Sequence, residues 1–384
     1  MEFATKCVHA IGAADAIGEA DATGSITPAI YLSSTFAHPR LGESTGFAYT
    51  RESNPTRARL ETLIATLEGG VDALAFSSGM AAVDAVMNLF SPGDHIITGN
   101  DLYGGSFRLF RNLNAKNGVE FTTVHTSKLD AIKAAIKPNT KAIFLETPTN
   151  PTMEISDLRA ISQIAQENNF LVIVDNTFLT PYFQKPLELG ADIVIHSGTK
   201  YLTGHNDVLC GFTVAKSQDI ADKLRLIFKT TGAVLGALDA WLVIRGIKTL
   251  PLRMEQHQKN ALALAEWLQK QPKVKYVLYP GLKDHPGYEI NAGQTTGFGG
   301  MISFAVDSPK TAELLLEKIK LIKFAESLGG TESLLTYPIR QTHADLTPEE
   351  CEEKGITDCL LRLSTGIEAT EDLIADFEQA FASL

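Results

Sequence analysis

The sequence predicts an α/β protein in which an arm (1–57) leads into a large domain (58–247) on a mostly parallel sheet, followed by a smaller α+β C-terminal domain (248–384). Two observations carry the prediction. From Ala58 onward, short apolar runs alternate with amphipathic stretches, the pattern of strands joined by helical crossovers. The runs are also apolar at successive positions, as strands covered on both faces are.

Taken in order, the arm is rich in Gly, Ser, Thr and Pro and most polar at GESTGFAYTRESNPTR. RARLETLIATLEGG reads as an amphipathic helix closed by a glycine pair. VDALAFSS is then a strand, GMAAVDAVMNLF a helix, HIITGN a strand and YGGSFRLFRNLNAKN a helix. The series continues through the strands EFTTVH, KAIFLET, FLVIVDN and ADIVIHS, with LDAIKAAI and LRAISQIAQENN as helices between them. A long helix, PLRMEQHQKNALALAEWLQKQ, follows Leu250, with Pro251 at its start. VKYVLYPG, GGMISFAV, the helix KTAELLLEKI, CLLRLSTGI and the closing helix EDLIADFEQAFASL make up the second domain. The chain holds no internal repeat and no low-complexity tract.

The bulk numbers narrow the partners. A formal net charge of −11 argues against broad binding to nucleic acid or anionic membranes, so an anionic ligand must be held by a few local basic groups. No run of eighteen apolar residues is present, and the opening MEFATKCVHAIGAADAIGEADATG carries acids where a signal peptide would have its apolar core. Cys7, Cys210, Cys351 and Cys359 form no C-x-x-C pair and no disulfide framework, which leads us to expect a reduced, cytoplasmic setting. No metal-binding motif, P-loop or dinucleotide fingerprint is found, so no metal is expected.

Ligands of open parallel sheets gather outside the carboxyl ends of the strands. Three such ends are unusual here. LAFSSGMAA sets Ser77, Ser78, Gly79 and Met80 at the opening of a helix, a ready phosphate site. FLVIVDN places Asp175 at the end of an apolar strand, where a carboxylate needs a partner. ADIVIHSGTKYLTGH places Lys200 just past another, beside Ser197 and Thr199. Singly, a tight turn, a helix cap and a solvated lysine would explain them. Together they supply what pyridoxal phosphate requires: a phosphate cup, a carboxylate to keep the pyridine nitrogen protonated, and a lysine amine for attachment. An apolar setting and a neighbouring cation would lower the lysine pKa, which suits a nucleophile and proton shuttle.

The blocks YTRESNPTR, AFSSGMAA, DLYGGSFRLF, ETPTNPT, VDNTF, HSGTKYLTGH, AESLGGTESL and LLRLSTGIE, in this order over nearly the whole chain, resemble the Cys/Met-metabolism family of pyridoxal-phosphate enzymes, the transsulfuration group. The resemblance implies the aspartate-aminotransferase-like fold of PLP-dependent transferases and a homotetramer built from two close dimers. It implies that Lys200 holds the cofactor and shuttles protons, and that Asp175 pairs with the pyridine nitrogen. Gly79, Met80, Ser197 and Thr199 would hold the phosphate, and Tyr103 would stack on the ring and assist at the leaving group. Tyr49 and Arg51 would reach the phosphate of a neighbouring subunit's site, which gives the arm a purpose. Arg362 would clamp the substrate α-carboxylate, a two-pronged contact that lysine cannot copy. Asn150 and Ser327 are implied as substrate contacts. Apart from the family, an arginine on a core strand such as Arg362 is more often a structural ion-pair partner, and the alternative for Arg108 is a helix-surface charge.

The family includes β-elimination, γ-elimination and γ-replacement. Glu326 resembles the γ-type members, and Arg108 resembles the arginine that meets the far end of a long substrate. Gly105 stands where methionine γ-lyases carry cysteine. YLSSTF, TGFGGMISF and LLRLSTGIEATEDLIADFE are most similar to cystathionine γ-synthases and O-acetylhomoserine thiolyases. Ala48 departs from the acidic residue that several cystathionine-handling members carry before the tyrosine, which leaves room for a smaller thiol or sulfide. The expected activity is replacement of the acyloxy group of an O-acylhomoserine by cysteine or sulfide. Cystathionine γ-cleavage is the alternative, and β-cleavage comes third. A cofactor-binding scaffold without turnover would be expected to have lost Lys200, Tyr103 or Arg362, and all are present.

Overall fold

The protein is described here from a computed structural model. It covers residues 1–9, 24–342, 344 and 346–384. Much of the arm's first half, with Asp15, Glu19 and Asp21 of the acidic opening, lies outside the described residues.

The first sheet contains β1 (Asp72–Phe76), β2 (His95–Gly99), β3 (Glu120–Val124), β4 (Thr140–Glu146), β5 (Leu171–Asp175), β6 (Ile193–Ser197) and β7 (Gly211–Ala215). Their order is β1-β7-β6-β5-β4-β2-β3. All neighbours run parallel except β7, which is antiparallel to both β1 and β6. Side chains along a strand alternate between faces, and the core divides accordingly. Ile143, Leu145, Val172, Val174 and Val194 enter one apolar cluster. Phe144, Ile173, Ile193 and Ile195 enter another on the opposite face. Burial on both faces is why these strands are apolar at every position.

Three expectations change. β3 is half exposed, because it is an edge strand whose polar Thr122 and Thr123 never meet a second covering layer. β7 and the helices Gln218–Thr231 and Ala237–Ile247 were not anticipated. GFTVA opens on a glycine, which masks it as a strand. The first long helix begins at Pro55 rather than Arg57, since Asn54 Oδ1 accepts from the amides of Thr56 (3.0 Å) and Arg57 (3.4 Å) and so caps it.

The second sheet runs β10-β11-β12-β9-β8, with β8 Val274–Leu278, β9 Met301–Val306, β10 Lys323–Phe324, β11 Leu334–Thr336 and β12 Leu360–Ser364. Only β10 and β11 are parallel. Leu361 and Leu363 of β12 pack with Phe304 and Phe377 into a third cluster. Arg362, between them, therefore points the other way.

Candidate active site

The carboxyl ends of β4, β5 and β6 share one edge of the first sheet, since Glu146 is in register with Asp175 and Asp175 with Ile195. They open onto a cavity of about 810 Å³, its mouth included, lined among others by Gly79, Met80, Tyr103, Asn150, Asp175, Ser197, Thr199 and Lys200. Eight residues singled out from separate stretches of sequence thus meet around one space.

Lys200 follows the buried end of β6. Its Nζ donates to Ser327 Oγ at 2.8 Å. Burial, and then the Arg362 guanidinium, push its pKa down to about 8. Ser327 has a left-handed backbone (φ 82°), and Gly329 two positions on has φ 74°. A Cβ on Gly329 would lie 2.7 Å from the Tyr201 amide nitrogen, so only glycine lets this loop close against the backbone at Lys200.

Arg362 is 2 % exposed. Its Nη1 donates to Asn150 Oδ1 (2.8 Å), and its Nη2 donates to the Ser327 carbonyl (3.0 Å) and Thr336 Oγ1 (3.2 Å). Its buried Nε has no hydrogen-bond partner among the described residues. No carboxylate pairs with it there, so an arginine kept charged for an incoming carboxylate fits better than a structural ion pair. Burial lowers its pKa to about 10, which leaves it cationic at neutral pH.

Asp175 Oδ1 accepts from the Thr177 amide (3.0 Å) and hydroxyl (2.5 Å). Burial raises its pKa, while the Thr177 bonds and then His196 oppose that rise. Glu146 is pushed well above the usual carboxylate range by burial and then by Asp175. At the other end of the cavity, Ser78 Oγ accepts from the Ala81 amide (3.0 Å), leaving the first amides of the helix Gly79–Met87 directed outward. A Cβ on Gly79 would come within 3.1 Å of Ser197. Thr199 Oγ1 donates to the Cys210 carbonyl (3.1 Å) and accepts from its amide (3.0 Å), fixing the loop before Lys200. A half-buried carboxyl, a lysine with a lowered pKa and an open helix N-terminus spaced around one cavity fit pyridoxal phosphate.

Other expected residues lie apart. Tyr49 is 46 % exposed, and the Arg51 guanidinium sits 5.6 Å over its ring while bonding the Lys229 carbonyl. Neither lines the cavity of its own chain. Arg108, on the helix Gly104–Leu109, and Glu326 are also exposed and outside the lining. Glu146 and Thr177 were missed by sequence reasoning. The signal for Glu146 was available: it ends the apolar KAIFLE run as Asp175 ends LVIVD.

Among the described residues, no group of three or more His, Cys, Asp or Glu side chains is arranged to hold a metal, and no helix is long and apolar enough to cross a membrane.

A family model described as Cys/Met metabolism PLP-dependent enzyme matches residues 4–382. The chain is 51% identical to a cystathionine γ-synthase of Haemophilus influenzae, over 94% of each chain. It is 48% identical to a cystathionine β-lyase of Lactococcus lactis, over 98% of each. It superposes with a TM-score of 0.95 on the crystal structure of a cystathionine γ-lyase from Lactobacillus plantarum complexed with L-serine, at 46% identity, covering 100% of this chain and 99% of that one.

Proposed function

We propose a specific reaction from one premise: this chain belongs to the Cys/Met-metabolism family of PLP-dependent enzymes. The reaction is γ-replacement on an O-acylhomoserine, in which the Cγ–O ester bond breaks, a Cγ–S bond to cysteine forms, and cystathionine and the free carboxylic acid leave. Sulfide is the smaller alternative nucleophile. The observation that carries the reading is the linked set Asn150–Arg362–Ser327–Lys200, joined by bonds of 2.8–3.0 Å. A substrate carboxylate on Arg362 brings Cα and Cβ of the same molecule to the Lys200 amine.

Pyridoxal phosphate, when bound, supplies the electron sink that stabilises negative charge at the substrate α-carbon. Asp175, its Oδ1 held by the Thr177 amide and hydroxyl, would pair with the pyridine nitrogen. Gly79 and Met80 amides and the Ser197 hydroxyl would hold the phosphate, joined by Tyr49 and Arg51 from a neighbouring subunit; the Thr199 hydroxyl would join them by turning its proton from the Cys210 carbonyl. Lys200 would take the proton at Cα and then move a proton at Cβ. Tyr103 lies over the cavity and assists at the leaving group. Arg108 and Glu326 meet the distal part of a longer substrate as it enters. The arm (1–57), the cofactor domain (58–247) and the C-terminal domain (248–384) are then the parts of a cytoplasmic homotetramer, a dimer of dimers with shared sites.

Glu326 and Gly105 support a γ-type reaction over β-elimination and over methionine cleavage, respectively. Cystathionine γ-lyase is the second reading, favoured by the structural match to an enzyme of that name over the whole chain. Turnover of O-acetylhomoserine or O-succinylhomoserine with cysteine in D2O tests the proton handling. Deuterium is expected at both Cα and Cβ of the cystathionine formed; label confined to Cα would contradict it.

A further inference from the structure

Glu146 is a buried carboxyl in the candidate site for which the reaction above has no use. It ends β4, is 7 % exposed and lines the same cavity as Asp175, its register partner on β5. Its Oε1 accepts the backbone N–H of Tyr103 at 2.8 Å. Tyr103 stands immediately before the helix Gly104–Leu109, and its own side chain makes no capping bond to that helix. The N–H bond to Glu146 therefore ties the cavity's tyrosine to the sheet. The room for that ring is narrow: a Cβ on Gly105 would lie 2.5 Å from Tyr103 Cε1 and 2.8 Å from Met80 Sδ.

We propose that Glu146 is a positioning residue, which holds the Tyr103 backbone against the end of β4 and so sets the ring over the cavity, acting as a hydrogen-bond acceptor and not as a second anion beside Asp175. The inference rests on the site assignment above. Two carboxyls on adjacent strand ends cannot both remain ionised in a buried site, and the better-supported one keeps the charge. Asp175 has the Thr177 amide and hydroxyl and the influence of His196. Glu146 has one backbone N–H, with Asp175 and Asp101 both disfavouring its charge. Glu146 therefore carries the proton. A second anion there would also compete with Asp175 for a cationic ring nitrogen. Glutamine, neutral and with a carbonyl oxygen in the same place, should substitute for it; alanine should not.

The test compares Glu146→Gln with Glu146→Ala, using hydrogen–deuterium exchange of the cofactor-free protein over the peptide containing Tyr103, alongside kinetics of the holoenzyme. Glu146→Ala should speed exchange at the Tyr103 amide by about tenfold or more, the loss of one buried hydrogen bond. It should also lower kcat by roughly ten- to hundredfold through misplacement of the ring. Glu146→Gln should keep wild-type protection and stay within about threefold of wild-type kcat, the small difference expected between two neutral acceptors. Wild-type exchange in Glu146→Ala, or a Gln variant as impaired as the Ala variant, would overturn the proposal. The exchange readout needs no turnover, so failure of the proposed reaction would leave it standing.

Discussion

At the scale of single residues, the site depends on what burial does to charge. Lys200 loses its proton near pH 8 rather than 10.5 because charging it inside the cavity beside Arg362 is unfavourable. Below pH 8 the amine is protonated and cannot attack an aldehyde; above it the amine is free. Reconstitution of cofactor-free protein with pyridoxal phosphate, followed by absorbance, should therefore accelerate as pH rises through about 8 and then level off. A rate still climbing toward the ordinary lysine value would contradict the burial argument. Arg362→Lys should raise KM by roughly tenfold or more with the cofactor absorbance unchanged, because an ammonium lacks the planar fork that spans Asn150 and the Ser327 carbonyl and pairs two-pronged with a carboxylate. If the variant instead lost the cofactor, Arg362 would belong to the cofactor site. At this scale much was legible in the sequence, since a charged residue ending an apolar strand needs a reason. The same rule, applied consistently, would have found Glu146 as well as Asp175.

The strands and helices matter through where they end. Parallel β4, β5 and β6 deliver their carboxyl ends to one edge, and Glu146, Asp175 and, just past β6, Lys200 line the cavity there. The two-sided apolar pattern made these strands readable. β7 was not, because the reason for its first residue lies in another element. A Cβ on Gly211 would lie 2.3 Å from the Ser78 carbonyl and 2.6 Å from Gly79 Cα, so the strand packs directly under the Ser78–Gly79 turn proposed to hold the phosphate. Gly211→Ala should push that turn outward and weaken pyridoxal phosphate binding by about ten- to hundredfold, the range expected of overpacking against rigid backbone. Equilibrium titration of the cofactor into the variant checks this, and unchanged affinity would show that the turn can give way without loss.

For the molecule as a whole, the arm is the informative part. Arg57, 1 % exposed, donates to the Thr50 carbonyl (2.7 Å) and the Leu235 carbonyl (3.4 Å), and pairs with Glu61 at 3.4 Å. The segment bearing Tyr49 and Arg51 is thereby fixed to the body, while neither side chain lines the cavity of its own chain. No pattern within one chain could reveal what they meet; only the resemblance suggested a second subunit. Mixing inactive Arg51→Ala with inactive Lys200→Ala should restore about a quarter of wild-type activity, because half the close dimers are mixed and each of those has one complete site. No recovery after verified subunit exchange would place the arm's function elsewhere. The central claim, γ-replacement, is tested most directly by mass-spectrometric product analysis of the holoenzyme. One reaction holds O-acetylhomoserine or O-succinylhomoserine with cysteine, the other cystathionine alone. The account predicts rapid cystathionine formation in the first and slow loss in the second. Rapid cleavage of cystathionine to cysteine and 2-oxobutanoate, or to homocysteine and pyruvate, without synthesis in the first would contradict it.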